Sequence, residues 1–251
     1  MSGHSKWATT KHQKAAKDKV RGKVFAKLIR QIEVAAREGG GDLSANATLR
    51  SMVDKARGAS VPMDTVERAI KRGTGELEGV TYEAVTYEGY APNGVAVIAE
   101  CLTDNRNRTT SDVKNIFTRN GGSLAEPGAV AWQFHRKGVV IVDKTAGVAE
   151  DDLMLAALEA GAEDVDDQGD TWQVTSGPSD FNTVREALEA AGVPMASADL
   201  TMLPTTAVPL ETEADARKVL RVVDALEEHD DVQNVYANFD IPDDVLQAVM
   251  A

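Results

Sequence analysis

The sequence predicts an α+β protein of three domains, in which an amino-terminal helical domain precedes two ferredoxin-like α/β domains, one inserted into the other. Helical periodicity governs residues 1–76, whereas strand patterns begin after the glycine-containing stretch 73–79. Residues 136–205 contain a complete βαββαβ series, and the segments on either side of them form a second series. A chain of 251 residues is long enough for two or three compact domains.

Apolar residues at helical spacing define the first domain, residues 1–76. The pattern predicts three helices, over residues 13–38, 46–57 and 64–73. Glycines follow the first and third runs, as is typical of helix carboxyl ends. The spacing of Asp64 to Glu67 suits a capping box at the start of the third helix. These helices predict a small helical bundle.

The second domain is predicted from two separate segments, residues 77–135 and 206–251. Turn residues at Pro92–Gly94 separate two apolar runs, which indicates a hairpin. The predicted elements are strands and helices over residues 81–88 (strand), 95–102 (strand), 106–120 (helix), 129–134 (strand), 212–228 (helix) and 232–238 (strand). Two α/β segments that are far apart in the sequence therefore build one domain.

The third domain, residues 136–205, is inserted between those segments. Its predicted elements are strand 138–142, helix 150–160, strands 162–166 and 171–175, helix 179–191 and strand 197–203. This order is that of the ferredoxin-like fold, which places two helices on one face of an antiparallel sheet.

The net charge of −13 hides a separation of charge along the chain. Residues 1–75 contain 16 Lys and Arg against 7 Asp and Glu, a net +9, whereas residues 76–251 contain 11 against 33, a net −22. Such asymmetry indicates a polyanionic partner for the basic end. The acidic remainder would repel phosphate and orient the basic end toward it.

Basic residues interleaved with one aromatic residue make the amino-terminal region a candidate nucleic-acid-binding surface. The candidates are Lys6, Trp7, Lys11, Lys14, Lys17, Arg21, Lys23, Lys27 and Arg30. Helical spacing places Lys14, Lys17 and Arg21 on one face and the last three cations in a second row, and Trp7 could stack on a base or pack against the helix. The alternative is a solubilising helix face with a basic tail, but the acidic body favours binding.

A second candidate is an anion site at the start of the helix predicted over residues 106–120. It comprises Asn105, Arg106, Arg108, Thr109 and Thr110, which lie where unpaired backbone N–H groups favour a phosphate. The alternative is ordinary capping by Asp104 or Asn105, with the arginines paired to neighbouring acids. The residues alone do not separate the two interpretations.

The sequence offers little for an enzyme. Its acidic pairs lack the histidine or glycine patterns of metal sites, and no phosphate-cradling loop or nucleophile motif is present, so we expect no catalytic residues, metal or cofactor. A metal-dependent nuclease stays open, because distant carboxylates can converge. The single cysteine, Cys101, excludes a disulfide framework, and the absence of a long apolar run predicts a cytoplasmic protein without a membrane segment.

Several long motifs in order resemble the YebC/PmpR family. They are GHSKW at 3–7, KHQKAAKDKVRGKVFAKLIRQI at 11–32, TDNRNRTTSDVKNIFTRNGGSL at 103–124, VAWQF at 130–134 followed by KG at 137–138, and VQNVYANFDIP at 232–242. The resemblance implies a largely monomeric, three-domain protein with a cleft between its domains and a role in gene expression. Thr10 departs from the aliphatic residue of the family pattern, which bears on how the tail packs.

The resemblance and the residues leave three functions open. Family members are described as DNA-binding transcriptional regulators, and the family includes mitochondrial translational activators and ribosome-acting factors that relieve stalling on proline-rich sequences. Because no DNA-reading module is evident, we favour an RNA-directed translation factor on ribosomal RNA or transfer RNA, and the ribosome is then a partner. Promoter DNA is the alternative, and a small-ligand or protein-interaction module is the third, since this fold hosts many functions.

Overall fold

The computed structural model describes residues 17–250, with side chains for residues 22–145 and 147–249. Its elements, in chain order, are α1 Lys17–Gly39, α2 Ala47–Gly58, α3 Met63–Thr74, β1 Glu83–Tyr90, β2 Ala96–Thr103, α4 Arg106–Arg119, β3 Ser123–Leu124, β4 Phe134–Asp143, α5 Glu150–Glu159, β5 Ala162–Asp167, β6 Thr171–Ser176, α6 Phe181–Ala190, β7 Met195–Pro204, β8 Val208–Pro209, α7 Glu213–Glu227, β9 Val232–Ala237, β10 Phe239–Asp240 and α8 Asp243–Met250. Helices followed by antiparallel sheets confirm the predicted α+β class.

Two compact units divide the described residues: residues 132–207 form one, and the remainder forms the other. In the larger unit, helices α1, α2 and α3 share a core in which Ile32, Leu49 and Val66 are fully buried. Helix α3 lies close against α1, because Gly73 has no side chain: a Cβ there would approach the Glu33 carbonyl oxygen to 2.5 Å.

The ends of these helices are held in different ways. Asn46 caps α2 by accepting a hydrogen bond from the Leu49 N–H, and its amide donates to the Ala35 carbonyl oxygen at 2.8 Å. Helix α3 instead begins after Pro62 and has no side-chain cap. The capping box predicted at Asp64 is therefore wrong: this residue lies inside the first turn, where its carboxylate binds Arg68.

A four-stranded sheet in the order β3-β1-β2-β9 forms the α/β part of the larger unit. The β1–β2 hairpin lies at its centre and turns through Asn93 and Gly94, both of which have positive φ. Helices α4 and α7 cover one face of this sheet, and their residues Phe117 and Val219 are fully buried in a common core. The short strands β8 and β10 pair in parallel beside them.

The strand predicted over residues 129–134 is wrong in its first part. Residues 131–133 form a 3-10 turn, and β4 begins only at Phe134. The buried carboxylate of Glu88 explains this difference, because it accepts backbone N–H bonds from Gly128, Val130 and Ala131 at 2.6–2.8 Å. These three N–H groups are therefore unavailable for hydrogen bonds to a neighbouring strand.

Residues 132–207 fold as the predicted βαββαβ series. Their sheet has the strand order β5-β6-β4-β7, with every neighbouring pair antiparallel. Helices α5 and α6 pack on one face, where Leu153, Ala157, Val184 and Leu188 are buried against the sheet. None of the described helices is long and apolar enough to cross a membrane.

Candidate nucleic-acid interface

Part of the predicted phosphate-binding surface lies beyond the described residues. Lys6, Trp7, Lys11 and Lys14 fall outside them. Lys17 and Arg21 belong to the first turns of α1, but their side chains are also outside the description. Their spacing of four residues places these two positions on one side of the helix.

The second predicted row, Lys23, Lys27 and Arg30, contacts the protein itself. The Lys23 ammonium donates to the Glu228 carbonyl oxygen at 2.9 Å, and the Lys27 ammonium donates to that of Glu227, also at 2.9 Å. Arg30 donates to the Asp230 carbonyl oxygen at 2.5 Å. All three acceptors lie at or just beyond the carboxyl end of α7.

This contact has a clear physical basis. The last carbonyl groups of a helix have no intrahelical partner, and they carry the negative end of the helix dipole. Cations at the carboxyl end of α7 donate hydrogen bonds to these carbonyl groups and are attracted by the negative end of the helix dipole. Burial lowers the pKa of Lys27 and outweighs the opposing attraction of Glu227. The row therefore anchors α1 to α7, and a phosphate would have to displace these bonds to bind there.

Asp231, which follows this anchor, is a buried carboxylate with three donors. Arg30 binds its Oδ1 at 3.0 Å, while the Thr109 hydroxyl and the Arg108 guanidinium donate to its Oδ2 at 2.7 and 3.3 Å. Burial by itself raises the pKa of Asp231, but the hydrogen bonds from Thr109 and Arg108 and the charge of Arg30 bring the net pKa below its ordinary value. The carboxylate is thus held ionised between α1 and α4.

The residues predicted to bind an anion at the start of α4 also form bonds within the chain. Asn105 caps the helix by accepting a hydrogen bond from the Arg108 N–H at 3.1 Å. Arg106 pairs with Glu83, Arg108 pairs with Asp104 as well as Asp231, and Thr110 bonds the Arg106 carbonyl oxygen and the Tyr87 hydroxyl. The structure thus shows the capping alternative, with Asp231 of the same chain as the anion.

An open groove beside this anchor did not emerge from the sequence. It has a volume of about 390 Å³, and its lining includes Arg30, Glu33, Arg72 and Tyr82. The Arg30 guanidinium lies over the Tyr82 ring at 5.5 Å, and Arg72 donates to the buried Glu33 carboxylate at 2.6 Å. These residues come from three separate segments, so no local motif predicts their meeting.

Two further observations concern metal binding and thiol chemistry in the described part of the chain. Among the side chains of residues 22–145 and 147–249, no group of three or more His, Cys, Asp or Glu is arranged to hold a metal ion. Cys101 is buried on β2, and that burial raises the pKa of its thiol to about 12. A thiol with such a pKa is not a nucleophile near neutral pH.

Comparisons with known protein families match nearly the whole chain. Residues 5–76 match the family described as the TACO1/YebC protein N-terminal domain, and residues 82–239 match the TACO1/YebC second and third domain. Similarity at this level confirms the resemblance drawn from the motifs.

Individual proteins with high similarity agree with the family match. A probable transcriptional regulatory protein of Parafrankia sp. is 58% identical over 250 residues, covering 99% of both chains. One of Mycolicibacterium smegmatis is 59% identical over 246 residues, covering 98% of this chain and 97% of the relative. The crystal structure of a conserved hypothetical protein from Aquifex aeolicus is 47% identical, with a TM-score of 0.80, and the match covers 90% of this chain and 93% of that one.

Proposed function

Since the chain belongs to the TACO1/YebC family, we propose that it is a non-catalytic, cytoplasmic regulator of gene expression that binds nucleic acid. In this proposal it acts as a translation factor on ribosomal RNA or transfer RNA. The observation that carries the proposal is the separation of charge: a net +9 in residues 1–75 against −22 in the remainder. A polyanion is attracted to one end of this chain and repelled by the other.

The contacts of the second basic row narrow the set of residues that we propose to bind phosphate. Because Lys23, Lys27 and Arg30 bind carbonyl groups of the chain itself, we assign them an anchoring role. Phosphate contacts then fall to the residues before them: Lys6, Lys11, Lys14, Lys17 and Arg21, with Trp7 as a stacking residue for an exposed base. The contacts of the second row fix the position of α1, the helix to which Lys17 and Arg21 belong.

The residues proposed to bind nucleic acid favour RNA over sequence-specific DNA reading. No zinc-finger, basic-zipper or helix-turn-helix motif that would read base edges is evident in the sequence. The proposed contacts are instead cations for phosphates and Trp7 for stacking. Such contacts suit folded RNA with exposed bases.

The names of the relatives favour the second candidate, a transcriptional regulator that binds promoter DNA. The Parafrankia and Mycolicibacterium proteins are both called probable transcriptional regulatory proteins, at 58% and 59% identity. The same basic residues would then contact the duplex backbone. Both candidates use the same cations, so only the polymer that is bound separates them.

Cosedimentation and gel shifts distinguish the candidates. We expect the full-length protein to sediment with ribosomes from a lysate of its source organism at moderate salt. We also expect it to bind promoter and scrambled duplexes equally weakly at physiological salt, because backbone contacts do not read sequence. Absence from all ribosomal fractions would refute the translation role, and a shift that prefers one promoter would establish the alternative.

A further inference from the structure

Helix α5, Glu150–Glu159, is apolar on two opposite faces. Leu153 and Ala157 are fully buried against the sheet of residues 132–207. On the opposite side, Met154, Leu155 and Leu158 are 36%, 60% and 47% exposed. A helix that only covers a sheet needs one apolar face, so the second face has no role in the fold of this unit.

Helical spacing joins the exposed side chains into one patch. Leu158 lies four residues after Met154 and three after Leu155, so the three side chains are neighbours on the helix surface. The flanks of this patch carry Glu150 on one side and Asp152 and Glu159 on the other, while Asp151 lies one turn before it. Within the described residues none of these four carboxylates forms an ion pair.

Charge decides what can cover the patch. Residues 132–207 contain 4 Lys and Arg against 14 Asp and Glu, a net −10. Lys137 and Lys144, two of these four cations, already bind Glu163 and Asp167. Nucleic acid and anionic lipid surfaces would both be repelled. A polypeptide segment with apolar side chains flanked by Lys or Arg complements the patch in hydrophobicity and in charge.

The carboxylate of Glu159 supports a role in recognition. This residue occupies the last turn of α5, where a negative charge opposes the helix dipole. Its position therefore weakens the helix but completes the acidic border of the patch. We propose that Met154, Leu155 and Leu158 form a docking surface for a basic amphipathic segment of another protein, a contact separate from nucleic-acid binding.

A designed peptide tests the proposal directly. The probe is a fluorescent amphipathic helix of about 18 residues, with leucines on one face and lysines beside them. Fluorescence anisotropy at physiological salt measures its affinity for the full-length chain. We expect Leu155→Gln with Leu158→Gln to weaken binding by about tenfold or more, because the covered leucines supply most of the apolar contact.

Matched controls separate this contact from general attraction. Met63→Gln with Leu77→Gln also replaces two exposed apolar side chains, but in the other unit, and should leave the affinity unchanged. A peptide of the same composition with its leucines spread around the helix should bind about tenfold more weakly. Asp151→Asn with Glu159→Gln should flatten the salt dependence while the leucine contact remains.

Three results would overturn the proposal. They are no binding of the probe, equal affinity for the Leu155/Leu158 variant and the folded wild type, and equal affinity for the two peptides. A higher affinity after Lys6→Ala, Lys11→Ala and Lys14→Ala that persists at about 0.5 M salt, where general attraction of the basic probe is screened, would show that the chain's own amino-terminal segment competes for the patch, and the idea of a separate protein partner would then fail. Thermal unfolding of each variant verifies that it is folded.

Discussion

Asp231 shows how one carboxylate determines the role of several cations. It is buried and ionised, and it receives hydrogen bonds from Arg30, Arg108 and Thr109. Arg30 was predicted to contact phosphate and Arg108 was a candidate for an anion site or for pairing with a neighbouring acid, and each is held by this carboxylate. The charge of an arginine can be read from a sequence, but the anion that it meets depends on how distant elements pack.

Asp231→Asn should destabilise the protein by about 2 kcal/mol at pH 7, because two guanidinium groups lose a charged partner. Since folding lowers the pKa of Asp231, its stabilisation is present above the pKa of the unfolded chain and is lost as the pH falls through the folded pKa. Urea unfolding at pH 7 and at successively lower pH measures this effect. The gap between wild type and variant should shrink on acidification.

An exposed carboxylate provides the control for that experiment. Glu189→Gln, on the exposed side of α6, should change stability by less than about 0.5 kcal/mol at pH 7. A gap for Asp231→Asn that stays constant at all pH values would contradict the assignment of an ionised carboxylate at this position.

Cys101 should be inert in the folded protein. Its thiol is buried and its pKa is raised to about 12, chiefly by desolvation, so almost no thiolate exists at pH 8. A chromogenic disulfide reagent should therefore react with it slowly in buffer and rapidly in concentrated urea. Rapid modification of the native protein would show that β2 opens far more easily than its buried position indicates.

At the scale of elements, the sequence predicted the helices better than the short strands. Periodicity predicted α2 and α7 to within one residue of their ends, because a buried stripe repeats over several turns. Strand β3 has only two residues and depends on pairing with β1, which no local pattern records. The carboxyl-terminal helix α8 was not predicted either, since it spans only eight residues.

In the candidate site too, local sequence predicted the cations but not the groups that they contact. The basic row Lys23, Lys27 and Arg30 could be found from charge and spacing, and it does lie on one side of α1. Its acceptors at the end of α7 are about 200 residues later in the chain. Only the tertiary fold could reveal that contact, because an acidic carboxyl-terminal segment gives no sign of which helix it meets.

The packing of α3 against α1 gives a prediction at this scale. Gly73→Ala should destabilise the protein by about 1–3 kcal/mol, because the new Cβ would meet the Glu33 carbonyl oxygen at 2.5 Å and the Ala36 Cβ at 2.7 Å. Gly58→Ala is the matched control at the end of α2, where a Cβ meets nothing within 4 Å. That change should be neutral or stabilising, since alanine favours a helix.

Thermal unfolding of the two alanine variants compares them directly. Equal melting temperatures for both would contradict the close approach of α3 to α1. A lower melting temperature for Gly73→Ala alone would agree with it.

Across the whole molecule, the distribution of charge matters more than its total. A net charge of −13 by itself would argue against nucleic-acid binding. However, residues 1–75 carry a net +9 and residues 76–251 a net −22. The acidic part also uses some of the basic groups internally, through the anchor at α7 and through Asp231. The cations that remain for a phosphate backbone are concentrated before residue 22.

The salt dependence of RNA binding tests this claim most directly, as the slope of log K against log salt for a structured RNA. Replacing Lys11, Lys14, Lys17 and Arg21 with Ala should reduce the slope by about 3, because each lost phosphate contact removes about 0.7 on single-stranded and about 0.9 on paired segments. The control replaces Lys55, Arg57, Arg68 and Lys71, four exposed cations of α2 and α3, and should leave the slope nearly unchanged. Wild-type affinity and slope in the first variant would contradict the account.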